Sequence, residues 1–204
     1  MTDQARFEAI ILERCNGFAT LSSGQLGALF AHFELMRRWN PKLNLTSCID
    51  LEAAALRHYA ESLFLGSFLP KSMKTAVDMG SGAGFPGFPV AVLRAEFSVL
   101  LVESDQRKAA FLREASDFAK NVRVRAVRAE TLTDAVDAVI GRAVVPKDIL
   151  AVADRISVWF GILASRSDAE AIAGSRDCQV APLPWDPDSV AIHGVVPRGT
   201  HTGE

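Results

Sequence analysis

The stretch Thr75–Gly87, reading TAVDMGSGAGFPG, limits what this chain can fold into more than any other. A short apolar run, Ala76-Val77, ends in Asp78; Gly80, Gly82 and Gly84 follow at alternate positions; Pro86 and the apolar run Phe88–Leu93 come next. The pattern predicts a strand, a tight glycine turn and a helix start. Glycine takes positive φ freely and lets a ligand approach bare backbone. Proline suits a first helical turn, where its missing N–H costs nothing, and a helix start offers free N–H groups. A small ligand is expected at this turn, with a plain tight turn as the alternative.

Two ligands fit the glycines. Counted from Gly82, the spacing Gly82-x-Gly84-x-x-Gly87 matches a dinucleotide fingerprint. Counted from Gly80, with Asp78 two residues before it, the loop matches the S-adenosylmethionine (SAM) loop of Rossmann-like methyltransferases. Charge favours the second, because a carboxylate at the strand end repels a pyrophosphate and attracts an ammonium, directly or through water. A second strand, Phe97–Val102, ends in Glu103, which lies 23 residues after Gly80. That is close to the roughly 20-residue spacing of a ribose-binding acid. The other reading of Glu103 is a solvated residue at a strand end.

The 204 residues suffice for one α/β domain with a helical extension, and a hydrophobic content of 49% supplies a large core. No apolar run reaches the ~18 residues of a membrane span, and the start MTDQARFEAI lacks the basic-then-apolar order of a signal peptide. Cys15, Cys48 and Cys178 are few and far apart. They argue against a disulfide framework or a metal site and for a reducing cytoplasm. Residues 37–128 carry fourteen Lys and Arg against nine Asp and Glu, so the middle of the chain suits an anionic polymer.

In chain order, apolar positions at helical spacing predict helices over residues 3–15, from Ser22 or Ser23 to Trp39 with Asn40-Pro41 as the stop, and from an Asp50 cap to about residue 65. These form a helical cap over residues 1–70 on a main domain over 71–197, with a mobile tail at 198–204. Asn40 and Asn44 are read as turn formers, and His58 as packed or hydrogen-bonded. A helix capped by Asp105 runs to Lys120, and Val122–Val127 alternates apolar and basic residues as a half-exposed strand. Arg128-Ala129-Glu130 follows at its carboxyl end, where backbone N–H groups suit an adenine edge and where Arg128 and Glu130 alternatively form a local ion pair. Strands over 135–140 and 158–164, a helix from Pro146 and a closing antiparallel pair complete a mostly parallel, doubly wound α/β sheet.

These residues carry a family resemblance. N-L-T at 44–46, R-H-x-x-E-S-L at 57–63, D-M-G-S-G-A-G-F-P-G at 78–87, V-E-S at 102–104, K-x-x-F-L at 108–112, R-A-E at 128–130 and G-R-A at 141–143 resemble the GidB/RsmG family. These are bacterial enzymes that methylate N7 of a guanine in small-subunit ribosomal RNA. The resemblance implies a Rossmann-like class I SAM-dependent methyltransferase. SAM would be held by Asp78, Gly80, Gly82, Phe85, Ala129, Glu130 and Arg142, with Glu103 on the ribose. Arg142, His58 and Asn44 would be positioning groups rather than general bases. The implied partner is ribosomal RNA within an assembled or assembling small subunit, met by a cytoplasmic monomer through Arg37, Arg38, Lys42, Arg107, Lys108, Arg123 and Arg125. A SAM-binding regulator without catalysis and a dinucleotide-dependent oxidoreductase are the alternatives. Two departures stand out. The family usually has Asp where Glu61 stands, and usually has a lysine followed by glycine near Leu163-Ala164-Ser165-Arg166.

Overall fold

The computed structural model describes residues 1–197; the tail expected at 198–204 lies outside the described residues. Local chemistry sets most element ends. Helix α1 is Asp3–Cys15 and α2 is Ser23–Leu43. Ser22 and Gln25 form a capping box ahead of α2, with Gln25 Oε1 accepting from the Ser22 N–H at 2.8 Å. The expected stop at Asn40-Pro41 does not occur. Pro41 lies in the last turn, where few hydrogen bonds remain to be lost, and the helix ends on Asn44 in the left-handed region at φ 48°. Asn40 does form the turn, exchanging two hydrogen bonds with the Thr46 backbone at 3.0 and 2.9 Å.

The third helical stretch is continuous but not uniform. Helix α3, Leu51–Ala54, is capped by Asp50 and passes into a π segment, Ala55–Ala60, before α4, Glu61–Ser67. A π segment widens the turn and shifts side chains out of α register. Here it turns Tyr59 into the core, where its hydroxyl meets His32 Nδ1 at 2.7 Å, and leaves His58 and Glu61 facing two different cavities.

The strands are β1 (Thr75–Met79), β2 (Ser98–Val102), β3 (Val122–Arg125), β4 (Ala138–Arg142), β5 (Trp159–Ser165), β6 (Gln179–Leu183) and β7 (Asp186–Val195). They lie in the order β3-β2-β1-β4-β5-β7-β6, with β7 antiparallel to both of its neighbours. Gly141 and Arg142 therefore belong to β4, where the sequence pattern placed them beyond it. Helices α5 (Gly87–Leu93) and α6 (Gln106–Ala115) cover one face of the sheet, while α7 (Pro146–Ile156) and α8 (Arg166–Ala173) cover the other. This division is what right-handed crossovers require when the strand order runs outward in both directions from β1. The N-terminal helices share the first face, since Phe7, Leu29, Phe33 and Tyr59 join the same buried cluster as Ala76, Leu101 and Ile140. The strand order reverses between β1 and β4, and the crevice at their carboxyl ends is where such sheets bind ligands. No helix among the described residues is long and apolar enough to cross a membrane.

Candidate active site

The glycine loop runs from the end of β1 to Pro86, which sits just ahead of α5 rather than inside it. Gly80, Gly82 and Gly84 have φ of 66°, 56° and 89°. Gly80 has a second reason to be glycine, because a Cβ there would lie 2.7 Å from Val144 Cγ2.

The expectation that this loop offers free N–H groups is met only in part, since most of them are already bonded. Ser81 N–H donates to Val102 O at 3.0 Å, while Gly84 and Phe85 donate to Ser81 O at 2.6 and 3.1 Å. Gly82 N–H donates to Glu103 Oε2 at 3.0 Å and Gly87 N–H to Asp78 Oδ2 at 3.0 Å. Five donors that could have held a pyrophosphate are already used, two of them by carboxylates. The loop is therefore a poor anion cradle in a negative field, which suits a ligand carrying positive charge.

The two acids have distinct placements. Glu103 is 8% exposed, which removes the reading of a solvated strand end. Its Oε1 also accepts from Asp105 N–H at 2.8 Å, so it braces the loop against the cap of α6 and keeps one lone pair on each oxygen for a ligand hydroxyl. Asp78 does not face the open space. It is fully buried beneath the loop, its Oδ1 has no partner, and burial pushes its carboxyl up from 3.8 to about 7. Direct contact between Asp78 and a ligand ammonium is thus replaced by an action through the loop, as a brace and as a source of negative potential.

Two recesses share Gly80 as a wall. One, of about 110 Å³, lies between Met79, Val102 and the turn Ala129–Glu130. Arg128 and Glu130 pair there at 3.1 Å on the surface, as the local reading had it. The other, of about 170 Å³, is walled by Gly82, Phe85, Thr46, His58 and Arg142. The His58 and Phe85 rings stack there, 4.7 Å apart and 22° from parallel. His58 Nε2 lies 2.9 Å from Thr46 Oγ1, and burial together with Arg142 lowers its pKa to about 4, so the ring is neutral at pH 7.

Arg142 is less free than expected. Nη2 forms an ion pair with Glu61 Oε2 at 2.8 Å, and Nη1 donates to the Arg57 carbonyl. Its grip on a ligand carboxylate or phosphate therefore competes with a buried acid that the sequence pattern marked only by its departure from the family's Asp. Asn44 caps α2 and lines neither recess. Thr46 and Ser81, quoted in motifs but not assigned to the site, and Val144, which lies outside every motif, also line the recesses.

Of the basic residues, Lys42 and Arg107 come together, with Arg107 donating to the Lys42 carbonyl at 2.8 Å. Arg37 pairs with Glu34 at 2.9 Å, Arg38 with Glu114 at 3.8 Å and Arg125 with Asp134 at 3.0 Å. Arg123 donates to the carbonyls of Lys120 and Val122 on the β3 edge. Lys108 extends from the first turn of α6, beside the cap that Glu103 braces.

The fold and the sequence both have known relatives. A SAM-dependent methyltransferase from Aquifex aeolicus superposes with a TM-score of 0.56 over 71% of this chain and 93% of its own, at 16% identity, a likeness of fold alone. The ribosomal RNA small subunit methyltransferase G of Rhodospirillum centenum is 36% identical over 196 residues, 90% of each chain. That of Halorhodospira halophila is 35% identical over 176 residues, 85% of this chain and 74% of its own. The family model described as rRNA small subunit methyltransferase G matches residues 25–176, and the chain belongs to that family, GidB.

Proposed function

We propose that this chain transfers a methyl group from SAM to N7 of a guanine in small-subunit ribosomal RNA. The observation that carries the cofactor half is the glycine loop, five of whose N–H groups are spent on Glu103, Asp78 and backbone carbonyls. That leaves bare backbone in a negative field, which fits an ammonium and a sulfonium and disfavours the pyrophosphate of a dinucleotide. Phe85, Gly80 and Gly82 would hold the amino-acid end, Glu103 the ribose hydroxyls, and the Ala129–Glu130 backbone the adenine.

When bound, SAM supplies a methyl on a sulfonium already activated for direct displacement. Guanine N7 presents a lone pair and no proton, so the protein's task is alignment rather than acid–base chemistry. The site's residues suit that task. His58 is neutral and stacked on Phe85, giving an uncharged π wall beside the recess. Arg142 is anchored on Glu61 and the Arg57 carbonyl, so its charge is balanced where it stands. Neither is poised to take a proton from N7, which has none to give.

The substrate half rests on family membership together with the basic rim formed by Lys42, Arg107 and Lys108 beside the loop. The test is to incubate the protein with methyl-labelled SAM and small subunits or naked rRNA from a strain lacking the modification. Label in the RNA is expected; SAM binding without transfer to any assembly state would favour a SAM-binding regulator instead.

A further inference from the structure

Across Arg142 from the His58 recess lies a second cavity, of about 230 Å³, at the carboxyl ends of β4 and β5 and the start of β7. It falls short of the ~300 Å³ at which sites begin to enclose whole small molecules, a size that suits one ring system. Arg142 and Ala143 wall both spaces. Ala143 has φ 55°, a left-handed conformation that a β-carbon disfavours, so the chain is strained where it divides the two.

The cavity's polar groups are mostly spoken for. Ser165 Oγ donates to Asp168 at 2.6 Å and Ser189 Oγ to Asp186 at 2.8 Å. Glu61 differs. It is 2% exposed, its Oε2 pairs with Arg142, and among the described residues no donor is hydrogen-bonded to its Oε1. Glu61 Oε1 is not among the buried side-chain atoms left without a partner, so it opens on the cavity as an acceptor that a ligand there can reach. Burial pushes its carboxyl up from 4.5 to about 7, despite the arginine.

Guanine carries N–H donors on its Watson–Crick edge, at N1 and the N2 amine, while N7 lies on the opposite, major-groove edge. We propose that this cavity takes the target guanine and that Glu61 Oε1 accepts from its N1–H and N2 amine. Glu61 is then the residue that selects guanine, and the inference rests on the guanine-N7 reading above. A base held in this way turns N7 back across Arg142 and Ala143 toward the glycine loop. Adenine, with an acceptor at N1 and no amine at C2, offers no donor at the two positions where guanine meets Glu61; its N6 amine lies on the other side of N1.

The experiment uses the whole protein, saturating labelled SAM and small subunits carrying either guanosine or inosine at the mapped methylation position. Inosine lacks only the N2 amine. Under single-turnover conditions the wild type should methylate guanosine roughly 10- to 100-fold faster, the range expected for a hydrogen bond to a charged group. Glu61→Gln should slow guanosine more than inosine, which brings only N1–H to the carboxylate, so that the preference narrows while SAM affinity, measured by calorimetry, is kept. Glu61→Asp should retain the preference. Equal rates on the two substrates by the wild type overturn the assignment, and they do so without relying on any variant folding. Equal slowing of both substrates by Glu61→Gln also overturns it, because Glu61 would then act only by holding Arg142. Absence of transfer to guanosine by the wild type removes the N7 reading itself, and this proposal with it.

Discussion

Replacing Asp78 with Asn tests whether the glycine loop is built over a charge that the ligand-free protein carries at a loss. Asp78 has no exposed surface; its carboxyl accepts from Gly87 N–H, and its other oxygen has no partner. Burial raises its carboxyl from 3.8 to about 7. The folded state therefore holds a proton that the unfolded chain gives up between about pH 4 and 7, so stability falls as pH rises through that window. At ~1.36 kcal/mol per pH unit, the loss reaches about 4 kcal/mol by pH 8. Asn keeps an acceptor for Gly87 and removes the charge, but it buries an amide N–H₂ at a cost of about 1–3 kcal/mol. The variant should be about 1–3 kcal/mol less stable than wild type at pH 4 and about 1–3 kcal/mol more stable at pH 8. Urea unfolding of the ligand-free proteins at several pH values, with matched m-values, measures this directly. A stability difference that does not change with pH would refute the reasoning, because it would mean that Asp78 is not a buried charge. The same substitution should weaken SAM, since the negative potential beneath the loop is lost.

Three further outcomes follow from the same geometry. At Gly82 a Cβ meets only Gly80 O, at 3.8 Å, and Asp is among the residues best able to adopt φ near 56°; Gly82→Asp should fold, with SAM binding undetectable by calorimetry. Glu103→Ala strips the acceptor from the Gly82 and Asp105 N–H groups and should weaken SAM by about 1.5–3 kcal/mol; unchanged affinity in a titration would return Glu103 to a purely local role. Neutralising Lys42 and Arg107 together should flatten the salt dependence of rRNA binding by ~0.7–0.9 in log–log slope for each phosphate no longer neutralised, with SAM affinity unmoved; an unaltered slope in filter-binding assays would place the RNA elsewhere.

Much of this site is legible in the sequence because it is local. The strand, glycine turn and helix from Thr75 to Leu93 are encoded in consecutive residues, as are the caps of Ser22, Asp50 and Asp105, each of which accepts from a backbone N–H within three residues. Glu103 is legible through its spacing, since a strand–loop–helix unit of fixed length must bring it beside the loop. What escapes the sequence depends on tertiary partners. Whether the loop's N–H groups are free is decided by where the Asp78 and Glu103 carboxylates point, and strand periodicity says nothing of that. The ion pair of Glu61 with Arg142 joins an N-terminal helix to the fourth strand, and no pattern within either segment requires it. The π segment over Ala55–Ala60 is invisible to an α-helical count, yet it sets which cavity His58 and Glu61 face. Pro41 reads as a stop but is tolerated in a last turn, where the left-handed Asn44 ends the helix instead.

The central claim is tested most directly by locating the methyl group. Small subunits lacking the modification are incubated with the protein and methyl-labelled SAM, and the RNA is then treated with borohydride and aniline, which cleave the chain at N7-methylguanosine. One labelled guanine in the small-subunit RNA, with cleavage at that position and none with Gly82→Asp, is the predicted result. Label at any other atom or base, or no label in subunits at any stage of assembly, would contradict it.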